Sequence, residues 1–109
     1  MDEGKKEKIE NHIAEIASLF IERESNKTSM ITVTRVELLD RGRSATIYIS
    51  VLPNTGELSA INFLKRKRAD LKQAIKKGLN IHTIPFIDVE IDKGEKARQT
   101  IETLLAQDE

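Results

Sequence analysis

Between Lys65 and Lys77 the chain sets seven lysines and arginines against one acid, Asp70. Cations at this density are suited to neutralising phosphates. Lys65, Arg66, Lys67 and Arg68 are consecutive, so on a helix they point around the whole axis. Lys65, Lys72 and Lys76 share one face, as charges on any solvated helix face would. Arg68 differs. It falls between Leu64 and Leu71 on an apolar stripe of Leu58, Ile61, Leu64, Leu71 and Ile75, where an unpaired charge is costly. A break in the helix near Arg68 would relieve that conflict and present cations and backbone at a helix junction, which suits a phosphate backbone.

Other reactive residue types offer less. His12 and His82 have no spaced Ser, Cys or His companion that would make a triad or a metal site, and neither G-x-x-x-x-G-K-[ST] nor G-x-G-x-x-G occurs. Asp88, Glu90 and Asp92 could supply oxygens to a hard cation, but alternation puts them on the solvated face of a strand. No catalytic residue, metal ligand, cofactor or small-molecule substrate is expected. Among the aromatics, Phe20, Phe63 and Phe86 occupy expected core positions, and Tyr48 is the candidate stacking surface on the sheet. A nucleic-acid partner would therefore be held mainly through shape and phosphate contacts.

The elements that must position these residues can be read from periodicity. Ile9, Ile13, Ile16 and Phe20 mark an amphipathic first helix. "MITVTRVELL", residues 30–39, and "SATIYISV", residues 44–51, read as two strands joined by the turn "DRGR" with Gly42, hence an antiparallel hairpin. Asn54, three before Glu57, offers a capping pattern for a second, long or broken helix that Gly78 and Asn80 would stop. "IPFIDVEID" alternates Ile87, Val89 and Ile91 with Asp88, Glu90 and Asp92 and reads as a third strand. Ala97, Ile101 and Leu104 mark a last helix. Strand order is not given by these patterns. A three-stranded sheet with helices on one face would bury the stripes in two layers.

Composition sets the outer bounds. The 109 residues fit one domain, residues 1–109, and the absence of cysteine suits a reducing compartment. No apolar run reaches the roughly 20 residues of a membrane span, and "MDEGKKEKIE" lacks the apolar core of a secretory signal. The formal charge of zero hides a segregation: residues 27–87 carry 11 basic and 4 acidic side chains, net +7. A polyanionic partner for the middle of the chain follows more readily than from the overall pI.

The order α-β-β-α-α-β resembles a type II KH domain. "TVTRVEL" at 32–38 with "ATIYISV" at 45–51, then "IHTIPFIDVEID" at 81–92 with "IETLL" at 101–105, resembles the ribosome-binding factor A family over nearly the whole chain. The resemblance implies an α+β fold of type II KH-like form, a three-stranded sheet with helices packed on one face plus a C-terminal helix, as a single KH-like RNA-binding domain. It implies a cytoplasmic, monomeric, non-enzymatic factor that binds the small (30S) ribosomal subunit and its 16S rRNA, assisting late assembly and maturation of the 5′ end. The RNA contacts expected on that basis are Arg43, Lys65, Arg66, Lys67, Arg68, Lys72, Lys76 and Lys77. The family's Ala-x-Gly kink falls on Lys67, Arg68 and Ala69, and its frequent arginine three before the proline is His82. The turn "LDRG" and Gly94 also depart from the usual family residues. Two other readings stand beside this one: an adaptor of the same fold whose basic helix meets an acidic protein surface, and a small hydrolase using Asp88, Glu90 or Asp92 with a metal.

Overall fold

The stripe of Ile9, Ile13, Ile16 and Phe20 becomes helix α1 (Glu3–Glu24) in the computed structural model, which describes residues 3–80 and 83–107; His82 lies outside them. Strands β1 (Met30–Leu39) and β2 (Ser44–Leu52) form the expected antiparallel hairpin. Strand β3 (Phe86–Ile91) joins β2 in parallel, so the order is β1-β2-β3 with β2 central. Helices α2 (Glu57–Arg66) and α3 (Arg68–Leu79) cross from β2 to β3, and α4 (Lys93–Gln107) follows β3. The architecture is α+β, with α1, α2 and α3 on one face of the three-stranded sheet, as expected. No helix among the described residues is long and apolar enough to cross a membrane.

One core joins the layers. Ala45, Ile47, Ile49 and Val51 of β2 and Ile87 and Val89 of β3 face Ile13, Ala17 and Phe20 of α1, Leu64 of α2 and Leu71 and Ile75 of α3. Each of the larger side chains contributes roughly 1.5–3 kcal/mol by leaving water. Asn80, at φ 54° and ψ 49°, ends α3 by donating its N–H to the Lys76 carbonyl at 2.9 Å. Gly78 serves close approach instead of termination. A Cβ there would stand 2.5 Å from Ile16 Cδ1, so its absence lets α1 lie against α3.

Strand β1 faces a parity problem that a single irregularity solves. Pairing runs Val33↔Ile49 and then Arg35↔Tyr48, leaving Thr34 as an extra residue. This β-bulge shifts the phase, so Ile31 and Val33 before it and Val36 and Leu38 after it all turn towards the helices. The Thr34 hydroxyl lies 2.6 Å from Asp92 Oδ2 and 3.2 Å from the Tyr48 carbonyl, and its one proton is best given to the nearer, charged acceptor. Asp92 Oδ1 in turn accepts the Glu95 N–H at 3.1 Å, capping α4. Further along β1, Glu10 of α1 accepts the Leu38 N–H at 2.8 Å.

Five expectations are corrected here. Asp92 is nearly buried as the cap of α4 and does not share the solvated face with Asp88 and Glu90, because β3 ends at Ile91. Phe86 is 56% exposed: with Ile87 turned inward, alternation puts Phe86 on the open face beside Asp88. Leu58 is 73% exposed in the first turn of α2, and Ala60 fills the core there. Asn54 does not cap α2; it opens a 3-10 turn, Asn54–Gly56, and Glu57 pairs with Lys96 at 3.0 Å. Lastly, α4 forms where expected, but Ala97, Ile101 and Leu104 are exposed, because α4 runs out past the sheet after that ion pair.

The Asp92 carboxyl is held below the ordinary carboxylate range, first by the Thr34 hydroxyl and then by the Glu95 N–H. A carboxylate more acidic in the folded than in the unfolded chain stabilises the fold above its unfolded pKa, and that contribution is lost as pH falls through the folded value. Asp92→Ala should cost about 1–2 kcal/mol at neutral pH, the range of a lost helix cap. In urea unfolding the gap to wild type should narrow below about pH 4, where a free aspartate protonates. A gap that is constant down to acid pH would remove the carboxylate's charge from the account.

Candidate nucleic-acid interface

The basic stretch occupies two helices that meet at Lys67. Helix α2 ends at Arg66 and α3 begins at Arg68, and Lys67 sits between them at φ −94° and ψ 9°. This is the bridge region, open to any L-residue, so the joint needs no glycine. The chain stays continuous through it: the Lys67 N–H bonds the Phe63 carbonyl at 3.0 Å and the Leu71 N–H bonds the Lys67 carbonyl at 2.9 Å. Lys-Arg-Ala therefore forms a helix joint at the position where the family's Ala-x-Gly was expected.

The joint also resolves the misplaced Arg68. Its guanidinium does not enter the core but reaches round the free edge of β3, where Nη2 lies 3.2 Å from Asp88 Oδ1 and the guanidinium carbon lies 5.3 Å from the Phe86 ring centre. Its aliphatic stem stays with the apolar stripe while the charge finds a partner at the sheet edge. Arg68 Nε is the exception: it is buried with no hydrogen-bond partner.

The other expected residues divide by what surrounds them. Lys76 and Lys77 line a groove of about 600 Å³ between α3 and the end of α1, together with Arg23, Gln73 and Asn80. Arg66 lines a neighbouring groove of about 430 Å³ between α2 and the connection from α1 to β1, where Ser25, Asn26, Thr28, Ser29, Ser59 and Asn62 supply neutral polar groups. Glu24 borders both grooves and pairs with Arg23 at 3.7 Å, while Asp70 pairs weakly with Lys67 at 4.0 Å. Lys65 is exposed on α2 and Lys72 is half-buried on α3. Arg43 is remote from these helices in sequence, but its carbonyl accepts the Phe86 N–H at 2.8 Å, which puts its backbone at the start of β3. The structure thus brings Arg66, Lys76 and Lys77 to one side of the joint and Arg43 and Arg68 to the β3 edge.

Most arginines outside this set are committed to acids. Arg35 bonds Glu37 at 3.0 Å, Lys96 bonds Glu57 at 3.0 Å, and Arg98 holds both Glu95 and Glu102. By contrast Arg43, Lys65, Arg66, Lys72, Lys76 and Lys77 have no ion pair or side-chain hydrogen bond among the described residues. Unpaired cations keep their charge available to an incoming phosphate, which then displaces only water and small ions.

Tyr48 is less available than its place on the sheet suggests. The Arg35 guanidinium lies 3.8 Å from its ring centre, covering one face, and Arg35 Nε lies 3.6 Å from Asp92. Sequence reasoning missed this cluster of Thr34, Arg35, Tyr48 and Asp92. Asp92 stands three before Glu95, a capping spacing that could have pointed to it. Arg23, beside Lys76 and Lys77, was also missed, because it lies on α1, far from the basic stretch in sequence.

A ribosome-binding factor A of Fervidobacterium nodosum is 31% identical over 78 residues, 71% of this chain and 62% of that protein, so the chain spans less than two thirds of its relative's length. The crystal structure of ribosome-binding factor A from Thermus thermophilus matches with a TM-score of 0.71 at 18% identity, covering 79% of this chain and 93% of that one. A Thermus thermophilus homology model fitted into a cryo-EM map of a 30S–RbfA complex matches with a TM-score of 0.67 at 18% identity, over the same shares. At these identities the two structures carry the fold. The model of the family described as ribosome-binding factor A matches residues 5–105, nearly the whole chain, and the protein belongs to that family.

Proposed function

We propose that this chain is a ribosome-binding factor of the small (30S) subunit, acting as a single KH-like RNA-binding domain of residues 1–109. It binds 16S rRNA, assists late subunit assembly and promotes maturation of the 5′ end, in the cytoplasm, as a monomer and without catalysis. The observation that carries the reading is the helix joint at Lys67 flanked by cations that have no acidic partner, in a chain whose other arginines are mostly paired. Family membership and the related Thermus thermophilus protein, described in a 30S complex, support it.

In the mechanism the joint lets the backbone approach a phosphate ridge while Lys65, Arg66, Lys72, Lys76 and Lys77 neutralise it from two helices. These contacts fix position and orientation; they do not read sequence. Lys67 would contribute by exchanging Asp70 for phosphate, while Arg68 keeps Asp88. Because Asp70 is well exposed, that exchange is inexpensive.

Two outcomes are expected. Affinity for small-subunit RNA should fall with salt at a log–log slope of about −3.5 to −4.5 for these five cations, and Lys76→Gln with Lys77→Gln should flatten it by roughly 1.4–1.8, at 0.7–0.9 per lost contact. A salt-independent affinity, or RNase-resistant attachment to an acidic protein alone, would favour the adaptor reading. Cells lacking the protein should accumulate free small subunits carrying unprocessed 16S rRNA in ribosome profiles, most clearly in the cold; normal profiles in both cold and warm growth would count against the assignment.

A further inference from the structure

Phe86 is a large aromatic side chain left in water at the free edge of the sheet, and three features of its surroundings give it a use. It is 56% exposed and sits on the open face opposite Ser44, whose small side chain leaves the ring unshielded on the β2 side. Arg68 comes from the other layer and holds its guanidinium carbon 5.3 Å from the ring centre, close enough for a cation–π contact. Arg43 has its backbone fixed alongside by its carbonyl, which accepts the Phe86 N–H, and its side chain has no partner among the described residues. One arginine thus engages the ring, and a second, free one starts from the backbone next to Phe86.

We propose that Phe86 is a stacking platform for one unpaired base of a single-stranded RNA segment, with Arg43 on the phosphate of that nucleotide and Arg68 as the residue that positions the ring. The inference rests on the RNA-binding reading above and names the RNA form that this edge takes. An exposed aromatic ring with an unpaired arginine anchored next to it in the backbone matches a nucleotide, which presents a flat π-face and an anion a few ångströms apart. A duplex offers no free base face, so the platform selects single strands. Arg68 is suited to positioning because its charge is already committed: Nη2 bonds Asp88 Oδ1, and that same oxygen accepts the Val89 N–H at 2.9 Å, which locks the carboxylate to the strand. The site gives the open face a role separate from the helix joint, which engages phosphates on the other side of β3.

The test uses the full chain and fluorescence anisotropy with two probes, a short single-stranded RNA of mixed sequence and a blunt RNA duplex of equal length. Phe86→Ala should weaken single-strand binding about tenfold or more, the scale of one lost base–aromatic stack. The salt slope should be unchanged, because no phosphate contact is removed. Duplex binding should match wild type. Phe86→Leu should lose as much as Phe86→Ala, since apolar bulk without a π-face does not stack. Phe86→Trp should keep the affinity, and, as the chain has no other tryptophan, its fluorescence should be quenched by the single strand and not by the duplex. Wild-type binding by Phe86→Ala and Phe86→Leu, or quenching by a ribosomal protein and not by RNA, overturns the platform. If those variants bind normally while Lys76→Gln with Lys77→Gln loses affinity, the platform fails and the RNA-binding reading stands; if wild type binds neither probe, both fail.

Discussion

Both halves of β1 must present apolar side chains to the same helices, and they do so out of phase: Ile31 and Val33 at odd positions, Val36 and Leu38 at even ones. A regular strand would satisfy one pair and drive the other into water, because side chains alternate strictly across a sheet. Thr34 absorbs the difference. The bulge residue then uses its hydroxyl on Asp92, and Asp92 uses its other oxygen on the first turn of α4, so strand register and helix start are fixed at one place. With β1 in register, β2 presents Ala45, Ile47, Ile49 and Val51 as an unbroken inner row, and α2 and α3 can lie flat on it.

That platform determines what the basic helices can do. Burial of Leu64, Leu71 and Ile75 fixes the inward faces of α2 and α3, and the cations have to take what remains. Leu64, Leu71 and Ile75 stay inward on both sides of the joint at Lys67, so Arg68 keeps its stem with the stripe and sends its charge to the β3 edge, while Arg66, Lys76 and Lys77 gather beside the end of α1. Acidic residues gather towards the two ends of the chain, where Glu10, Glu95 and Glu102 pair locally at i,i+3 and i,i+4 spacings. The neutral overall charge is therefore the sum of acidic chain ends, net −7, and a basic middle, net +7.

Periodicity was enough to recover the element order, the hairpin, the helix break and most of the core, since each rests on local repeats of apolar residues. What it could not give was set by tertiary context. The parallel pairing of β3 with β2 depends on the α2–α3 crossover, which leaves no trace in the strand residues themselves. Phe86 reads as core in a run of apolar residues, and it is the register with Ser44 that turns it outward. Asp92 continues the alternation of Asp88 and Glu90 in sequence, but it is one residue past the last strand position, where a carboxylate caps a helix. The cation set was legible as composition; which members remain unpaired depends on acids distant in sequence, such as Asp88, 20 residues from Arg68.

The bond from Glu10 to the Leu38 N–H has a bearing on how this protein coexists with its own copies. β1 is an edge strand of ten residues, rich in valine, threonine and leucine, and such edges template the addition of strands from other chains. Glu10 occupies one of the outward donors, and the Thr34 bulge interrupts the row of the remainder midway. An approaching strand would meet neither a continuous set of free N–H groups nor a constant repeat, and would have to bring its backbone up against a carboxylate. The same devices that set the register of the core thus protect the edge from amyloid-like association, which matters most while newly made chains are crowded and only partly folded.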